Sequence, residues 1–232
     1  MHTNGWAHFI DPARSAGPHT HEVVASILDP PRKHAVVDFG AGYGNFTAYL
    51  EMAGYPTIAV DIDRGDYQRS GHSSAPFVWA NLDDALPDLP LPIDGAVGIE
   101  VIEHLENPLR FLRQVADLLP DGGWFVVTTP NILSLSSRLE FLVRGKEFGF
   151  SDLDYETNGH ISPVSLTQLR RLGTRVGLRV EVVTYNVGRI PLPKVRRRVE
   201  LGGRWSRSEL LGESLIVKFR KVEDAVRPFT RG

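Results

Sequence analysis

The stretch Val36-Val37-Asp38-Phe39-Gly40-Ala41-Gly42-Tyr43-Gly44 decides the fold. An apolar run, predicted to form a buried strand over 35–39, leads into three glycines at alternate positions and then into a predicted helix over 45–53. Glycines at such a junction let the backbone turn sharply and approach a ligand closely. The stretch therefore predicts a strand–loop–helix unit with a ligand site at the start of its helix.

Strands and helices alternate on both sides of this unit. The further predicted strands are 57–60, 77–80, 96–99, 124–128, 179–185 and 215–219, and the further predicted helices are 20–28, 108–119 and 165–176. An alternation of this kind is typical of a parallel sheet with helices on both faces. The sequence therefore predicts an α/β fold.

Length and composition favour one globular domain. The chain has 232 residues, of which 42% are hydrophobic and 23% are charged. The absence of cysteine excludes disulfides, thiolate metal sites and thiol nucleophiles. No apolar run reaches the roughly 18–20 residues of a membrane span, and residues 1–12 lack the pattern of a signal peptide. We therefore expect a cytoplasmic protein with no membrane span.

The glycine loop can be compared with three ligand classes. A phosphate-binding loop of the P-loop type requires Gly-Lys-Ser/Thr, whereas this loop ends Gly44-Asn45-Phe46. A dinucleotide loop expects glycine where Asn45 stands, and Asp38 would repel a pyrophosphate. A cationic sulfonium compound such as S-adenosylmethionine suits the charge of Asp38. Asp61, 21 residues after Gly40, stands where a carboxylate can accept both ribose hydroxyls. A tight turn without a ligand is the alternative.

Over residues 34–185, with 215–219 as the final strand, the sequence resembles the class I S-adenosylmethionine-dependent methyltransferases. The motifs that carry the resemblance are Asp-Phe-Gly-Ala-Gly-Tyr-Gly (38–44), Val-Asp-Ile-Asp (60–63), Asn-Leu-Asp (81–83), Glu-Val-Ile-Glu-His-Leu (100–105), Leu-Leu-Pro-Asp-Gly-Gly (118–123) and Thr-Pro-Asn (129–131). The resemblance implies a Rossmann-like seven-stranded sheet, mostly parallel with an antiparallel last strand, and helices on both faces.

The resemblance also implies the cofactor contacts. Asp61 would bind the ribose, the segment 81–83 would border the adenine, and Asp38 with the glycine loop would hold the methionine part. The full set of implied contacts is Asp38, Gly40, Gly42, Gly44, Asp61, Ile62, Asn81, Leu82 and Asp83. Asn81 departs from the family, in which Asp is common, but its amide can still bond the adenine.

A Glu-x-x-Glu-His cluster follows the strand predicted over 96–99. Glu100, Glu103 and His104 would share one side of a helical turn, and His160 precedes the helix predicted over 165–176. Two carboxylates and two imidazoles make a plausible site for a divalent ion, and we expect Mg²⁺ or Mn²⁺ rather than Zn²⁺ because oxygen ligands predominate. The cluster resembles that of ubiquinone-pathway O-methyltransferases and RNA 3′-terminal 2′-O-methyltransferases, in which it binds a metal.

Two interpretations of this cluster stay open. In the first, Glu100, Glu103, His104 and His160 are metal ligands. In the second, Glu103 and His104 pack a loop without metal, and His104 or His160 acts as a general base. The predicted catalytic residues are therefore His104, His160 and Glu103.

We interpret residues 1–232 as a single methyltransferase domain. An N-terminal lid and helix (1–33) and two insertions (132–158 and 186–212) are expected to cover the active site. The first insertion carries Phe141, Phe148, Phe150 and Tyr155. It could form the wall of an apolar pocket or a homodimer contact, and the sequence does not separate the two.

The expected reaction is O-methylation of a small hydroxylated molecule. A saccharide or other vicinal diol is favoured, because a metal that binds adjacent hydroxyls lowers their pKa, and a phenol or quinone precursor comes next. RNA 3′-terminal 2′-O-methylation is the alternative. The net charge of −2 and the lack of an aromatic-and-basic binding module argue against nucleic acid as a partner. A regulatory protein that keeps the fold without activity is a third interpretation.

Overall fold

The computed structural model describes residues 19–191, 198–200 and 207–223. In chain order the strands are β1 (Ala35–Phe39), β2 (Thr57–Asp61), β3 (Phe77–Trp79), β4 (Ile93–Gly98), β5 (Trp124–Pro130), β6 (Leu178–Tyr185), β7 (Arg189–Pro191), β8 (Arg198–Glu200) and β9 (Ser214–Lys221). Seven of them form one sheet in the order β3-β2-β1-β4-β5-β9-β6. Strands β1 to β5 are parallel, and β9 is antiparallel to both β5 and β6. Strands β7 and β8 form a separate antiparallel pair.

Helices cover both faces of this sheet. They are α1 (Thr20–Ala25), α2 (Asn45–Met52), α3 (Arg64–Ser70), α4 (Pro108–Leu118), α5 (Leu135–Arg144), α6 (Asp152–Asn158) and α7 (Leu166–Arg175). The larger core cluster joins one sheet face to α4 and α7, and a second cluster joins the other face to α1 and α2. Every residue of β1 and β5 is buried, as expected for strands covered on both faces. The predicted α/β fold with an antiparallel last strand is confirmed.

Local signals explain where the main helices begin. Asn107 caps α4 by accepting from the backbone N–H of Arg110, and Pro108 occupies the first turn, where its missing N–H costs nothing. Ser165 and Gln168 form a capping box at the start of α7. Within the described residues, no helix is both long and apolar enough for a bilayer crossing. The predicted lid is only partly described, since residues 1–18 lie outside the described ranges, and its role stays a prediction.

An ion-pair network joins the segment after α1 to the last strand. Asp29 accepts from Lys218 Nζ at 2.6 Å and from both terminal nitrogens of Arg220 at 2.6 and 3.0 Å. Lys218 is only 6% exposed, so its charge depends on these carboxylate contacts and on Glu181 at 3.5 Å. Arg220 also donates to Glu181. The network therefore holds α1 against the edge of the sheet formed by β6 and β9.

Replacing Asp29 by Asn is expected to lower the free energy of unfolding by about 3 kcal/mol at pH 7, because it leaves the buried Lys218 without its closest counter-charge. Hydrogen bonds from Arg220 and Lys218 hold the pKa of Asp29 down at about 2, against burial, which raises it. A carboxyl whose pKa is depressed by folding stabilises the fold above its unfolded pKa. The difference between wild type and variant should therefore shrink as the pH falls from about 4 to about 2.

Urea unfolding at several pH values measures this difference. Asp152→Asn is the matched control, because Asp152 is paired with Lys146 but is 87% exposed, and an exposed pair contributes at most about 1 kcal/mol. Equal losses for the two variants would contradict the assigned role of Asp29.

Candidate functional site

A cavity of about 360 Å³ lies where β1, β2 and β4 end. Its walls are formed by Gly40, Asp61, Ile62, Ala80, Asn81, Leu82, Asp83, Glu100, Val101, His104 and Leu105. Six of the nine predicted cofactor residues and two of the four predicted metal ligands therefore border one space, although they come from four separate segments. Parallel sheets bind ligands at this edge, and the volume is typical of a site for a small organic molecule.

The glycine loop closes against the connection after β4. Gly40 has a left-handed backbone (φ +70°), and a Cβ at this position would lie 2.3 Å from Cγ2 of Val101. Gly42 donates its N–H to Oδ2 of Asp61 at 2.8 Å, and Asp63 donates its N–H to Oδ1 at 2.8 Å. Asp61 therefore braces the loop from the neighbouring strand. Each of its oxygens keeps further acceptor capacity for a ligand.

Asp38 lies within β1, and its side chain is 2% exposed. Its Oδ2 accepts from Oγ1 of Thr47 at 2.6 Å. Burial raises the pKa of Asp38 to about 7, the nearby Asp61 adds to this rise, and the bond from Thr47 opposes it. Asp38, Gly42 and Gly44 do not line the cavity. The contact of Asp38 with a methionine group, implied by the resemblance, stays a prediction.

Hydrogen bonds fix the loop after β3 in its position at the cavity. Asn81 Oδ1 accepts from the N–H of Asp83, and its Nδ2 donates to Asp84, both at 3.1 Å. The carboxylate of Asp83 accepts from the N–H groups of Glu106 and Asn107 at 3.1 and 3.2 Å. These bonds tie the predicted adenine-binding segment to the start of α4.

Three of the four predicted metal ligands come together. Glu103, His104 and His160 each offer one ligand atom, and these atoms lie within 4.8 Å of one another. The carbonyl of Glu103 accepts from the N–H groups of Ile161 and Ser162 at 2.9 and 2.8 Å, which brings His160 beside the turn after β4. The centroids of the two imidazole rings are 4.8 Å apart. Because His104 also lines the cavity, the cluster adjoins it.

The side chain of Glu103 is fully buried. Neither of its carboxylate oxygens has a hydrogen-bond partner among the described residues. Burial raises the pKa of Glu103 well above its usual value, and the nearby Glu100 raises it further. A buried carboxylate in this setting is stable only when it is protonated or lies beside a cation.

Backbone carbonyls orient both imidazoles. Nδ1 of His104 lies 3.3 Å from the carbonyl oxygen of Gly159, and Nδ1 of His160 lies 2.5 Å from that of Gly149. A carbonyl can only accept, so each Nδ1 carries the proton and each Nε2 keeps its lone pair. Burial lowers the pKa of His104, and electrostatic repulsion from the neighbouring His160 lowers it further. Both rings are therefore prepared to accept a proton or a metal ion.

The position of Glu100 differs from the predicted geometry of the cluster. It has a left-handed backbone (φ 52°) and precedes a 3-10 turn that spans only Ile102–His104. Its N–H donates to Oγ1 of Thr128 at 2.9 Å, and that hydroxyl donates to its carboxylate at 2.7 Å. The prediction that one helical turn carries Glu100, Glu103 and His104 on a shared side is therefore wrong, because Glu100 precedes the turn and is bonded to Thr128 on β5. Its carboxylate nevertheless lies close enough to Glu103 and His160 to affect their electrostatics. The group of described residues that could hold a metal has one carboxylate and two imidazoles, without Glu100.

Sequence reasoning missed the residues that support Glu100. Burial raises the pKa of Glu100, and the neighbouring hydroxyls of Thr128 and Ser214 oppose this rise. The fully buried Asn186 lies with Nδ2 3.4 Å from the Ser214 hydroxyl and 3.2 Å from Oγ1 of Thr20. Thr128 directly precedes the Thr-Pro-Asn motif and could have been found from it. Asn186 is a single polar residue after β6 and belongs to no motif, so nothing in the sequence indicates its role.

Comparison with known proteins identifies the fold family. A family profile described as a methyltransferase domain matches residues 11–183. The chain belongs to this methyltransferase family. The predicted enzyme class is thereby confirmed at the level of the family.

The chain is similar to several named proteins and solved structures. A Mycobacterium tuberculosis protein named probable S-adenosylmethionine-dependent methyltransferase is 34% identical over 50% of this chain, and the match spans only 43% of that protein. The ubiquinone biosynthesis O-methyltransferase of Chromobacterium violaceum is 22% identical, over 75% of this chain and 79% of its own length. The Bacillus subtilis protein YcgJ has the same fold, with a TM-score of 0.63 and 14% identity over 89% of this chain and 99% of its own.

Proposed function

We propose that this methyltransferase uses S-adenosylmethionine to methylate a hydroxyl group of a small molecule, with a saccharide or other vicinal diol as the favoured acceptor. The observation that carries the proposal is the shared cavity, which borders both the predicted cofactor residues and His104. Methyl transfer requires the donor carbon and the acceptor oxygen to be held in line and close together. The names of the M. tuberculosis and C. violaceum relatives support the cofactor and the transfer to oxygen, respectively.

The adenosine part of the cofactor is proposed to lie between Asp61 and the segment 81–83. Asp61 would accept the two ribose hydroxyls with the lone pairs that its backbone bonds leave free. Ile62 is 59% exposed and lines the cavity. An adenine packed on it would bury this apolar surface and remove it from water. Asp38, beneath the loop, would add negative charge near the sulfonium and ammonium groups when it is ionised.

The acceptor hydroxyl is proposed to lie beside Nε2 of His104 or His160. As its oxygen forms a bond to the methyl carbon, the carbon–sulfur bond breaks and the electron pair stays on sulfur, which leaves S-adenosylhomocysteine. The hydroxyl proton passes to Nε2 of the imidazole. The lone pair of Nε2 is available because the backbone carbonyl holds the proton of the neutral ring on Nδ1. One of the two histidines would therefore act as the base, and the backbone carbonyls of Gly149 and Gly159 would orient it.

Glu103, His104 and His160 also fit a divalent metal ion. The carboxylate oxygens of Glu103 have no hydrogen-bond partner in the described part of the chain, and each imidazole has the backbone carbonyl on Nδ1 that is typical of a metal-ligating histidine. Nitrogen donors outnumber oxygen in this set, which removes the reason for expecting Mg²⁺; Mn²⁺ matches the set better than Mg²⁺, and Zn²⁺ fits it as well. A bound ion would supply positive charge that lowers the pKa of neighbouring hydroxyls.

A turnover screen with methyl-labelled S-adenosylmethionine tests the proposal. Sugars, catechols, simple phenols and short RNAs are offered to the purified chain in parallel, and the labelled product is identified by mass spectrometry. We expect methylation of a sugar or other diol. Methylation of the RNAs alone would contradict a small acceptor. A chain that binds no S-adenosylmethionine would contradict the assigned cofactor.

Removal of divalent ions is expected to lower turnover with the best acceptor, and Mn²⁺ should restore it more fully than Mg²⁺. The measurement is initial rate after EDTA treatment and dialysis, followed by titration of each ion. Calorimetry of S-adenosylmethionine binding under the same conditions is the control, because the cavity residues that hold the cofactor are not in the metal set. Full turnover in EDTA would leave His104 or His160 as a base that works without metal.

A further inference from the structure

Thr47 is a buried polar side chain that links helix α2 to strand β1. It is the third residue of α2, and its side chain is fully buried. Its hydroxyl donates to Oδ2 of Asp38 at 2.6 Å, a length typical of a bond from a hydroxyl to an ionised carboxylate. Thr47 therefore contacts the carboxylate that lies beneath the glycine loop.

The start of α2 favours a negative charge at this place. The N–H of Ala48 donates to the carbonyl of Gly44 at 2.8 Å, whereas the N–H groups of residues 45–47 precede the first turn and have no acceptor within the helix. Gly44, at the N-cap, offers them no side chain. The backbone N–H of Thr47 acts together with its hydroxyl to lower the pKa of Asp38. The positive end of the helix dipole favours the ionised carboxylate as well.

Burial and neighbouring groups oppose the ionisation of Asp38. Burial raises its pKa to about 7, and Asp61 on β2 adds to this rise. Tyr67 on α3 also faces Asp38, which raises the pKa of that phenol, and the residue paired with Asp38 on β4 is the uncharged Val97. In the described part of the chain, no positively charged side chain acts on Asp38. The charge of Asp38 therefore depends on Thr47 more than on any other side chain.

We propose that Thr47 is a positioning residue that favours the ionised form of Asp38 and fixes its orientation, so that S-adenosylmethionine binds more tightly as the pH rises through the neutral range. The inference rests on the proposed function, because it takes the cationic cofactor as the ligand that Asp38 attracts. A cation is attracted by the ionised carboxylate and not by the protonated one. With the pKa of Asp38 at about 7, about a tenth of the molecules carry this charge at pH 6 and about nine tenths at pH 8.

Calorimetric titration of the full chain with S-adenosylmethionine, from about pH 6 to about pH 8.5, tests the proposal. Thr47→Val keeps the size of the side chain and removes the hydroxyl, so the pH at which affinity is half-maximal should rise by about one unit. The loss of affinity relative to wild type should be about fivefold at pH 7 and less than twofold at about pH 8.5. The amine of the ligand also titrates in this range, but it affects both proteins equally and cancels in the ratio of their affinities.

Three further variants and one measurement without ligand complete the test. Thr47→Ser keeps the hydroxyl and should restore the wild-type pH profile. Thr57→Val is the matched control, because Thr57 is also buried and its hydroxyl donates to the carbonyl of Tyr55 at 2.9 Å. It should lower the melting temperature and leave the pH profile unchanged. Asp38→Asn cannot titrate and should retain only the pH dependence of the ligand. Carbon-13 NMR of the Asp38 carboxyl in the free protein should give a midpoint of about 7 in wild type and a higher one in Thr47→Val.

Each of three results would overturn the proposal while leaving the proposed function intact. The first is an Asp38 carboxyl that titrates in the usual range of aspartates in the wild-type protein. The second is a loss of affinity in Thr47→Val that is the same at every pH, which would give Thr47 a structural role alone. The third is an Asp38→Asn variant whose affinity follows pH as that of wild type does, a result that counts even if Thr47→Val does not fold. A wild-type chain that binds no S-adenosylmethionine would contradict both the proposed function and this inference.

Discussion

Replacement of Glu103 by Gln is expected to lower turnover about a hundredfold or more while leaving the affinity for S-adenosylmethionine within about twofold. The amide keeps the size of the side chain but can neither carry negative charge nor bind a metal ion as a carboxylate does. Glu103 lies against His104 and His160 but does not line the cavity. The substitution should therefore lower the rate of methyl transfer and leave the affinity for the cofactor nearly unchanged.

Rate measurements at saturating cofactor, together with calorimetry, separate the two effects. Glu106→Gln is the matched control, since Glu106 is an exposed carboxylate three residues further along the chain and should behave as wild type. If Glu103→Gln loses affinity and turnover in equal measure, the carboxylate serves the cofactor and the proposed role beside the acceptor is wrong.

Replacement of Asp61 by Ala is expected to weaken S-adenosylmethionine binding about a hundredfold or more, because hydrogen bonds to a charged group contribute roughly 1.5–3 kcal/mol each. The variant removes the acceptor for the ribose hydroxyls. It also removes the carboxylate that holds the N–H groups of Gly42 and Asp63, so part of the loss will come from a looser glycine loop.

Calorimetric titration with S-adenosylmethionine and with S-adenosylhomocysteine measures the loss. Asp63→Ala is the control, because Asp63 caps α3 through the N–H of Asp66 and lies outside the cavity walls. It should cost about 1 kcal/mol of stability and little affinity. Wild-type affinity in Asp61→Ala would remove the ribose assignment.

The fold could be predicted because its central strands are simple apolar runs. The strand predicted over 35–39 has the same bounds as β1, and the helix predicted over 108–119 differs from α4 by one residue. Helices α3 and α6 were not predicted, because the sequences Arg-Gly-Asp-Tyr-Gln-Arg-Ser and Asp-Leu-Asp-Tyr-Glu-Thr-Asn carry too few apolar residues to show a period of 3.6. The pair β7 and β8 was missed because Pro191 ends the first of them.

The candidate site was predictable only where its residues follow the ends of parallel strands. Asp61 and the segment 81–83 follow that rule. The orientation of Glu100 does not, because it depends on Thr128, 28 residues away on another strand. The carbonyls that orient the histidines were equally invisible, since a backbone acceptor leaves no mark in the sequence.

The same two carbonyls bear on how the acceptor range of such an enzyme can diversify. They belong to Gly149 and Gly159, whose left-handed backbones (φ +79° and +72°) favour glycine. The imidazole tautomers therefore depend on these two glycines and not on the side chains elsewhere in the insertion. Side chains of the insertion that do not contact the histidines, such as Tyr155, can therefore be exchanged without changing the hydrogen bonds that orient the imidazoles. Shortening the loop is a different matter, because it would withdraw the carbonyls themselves.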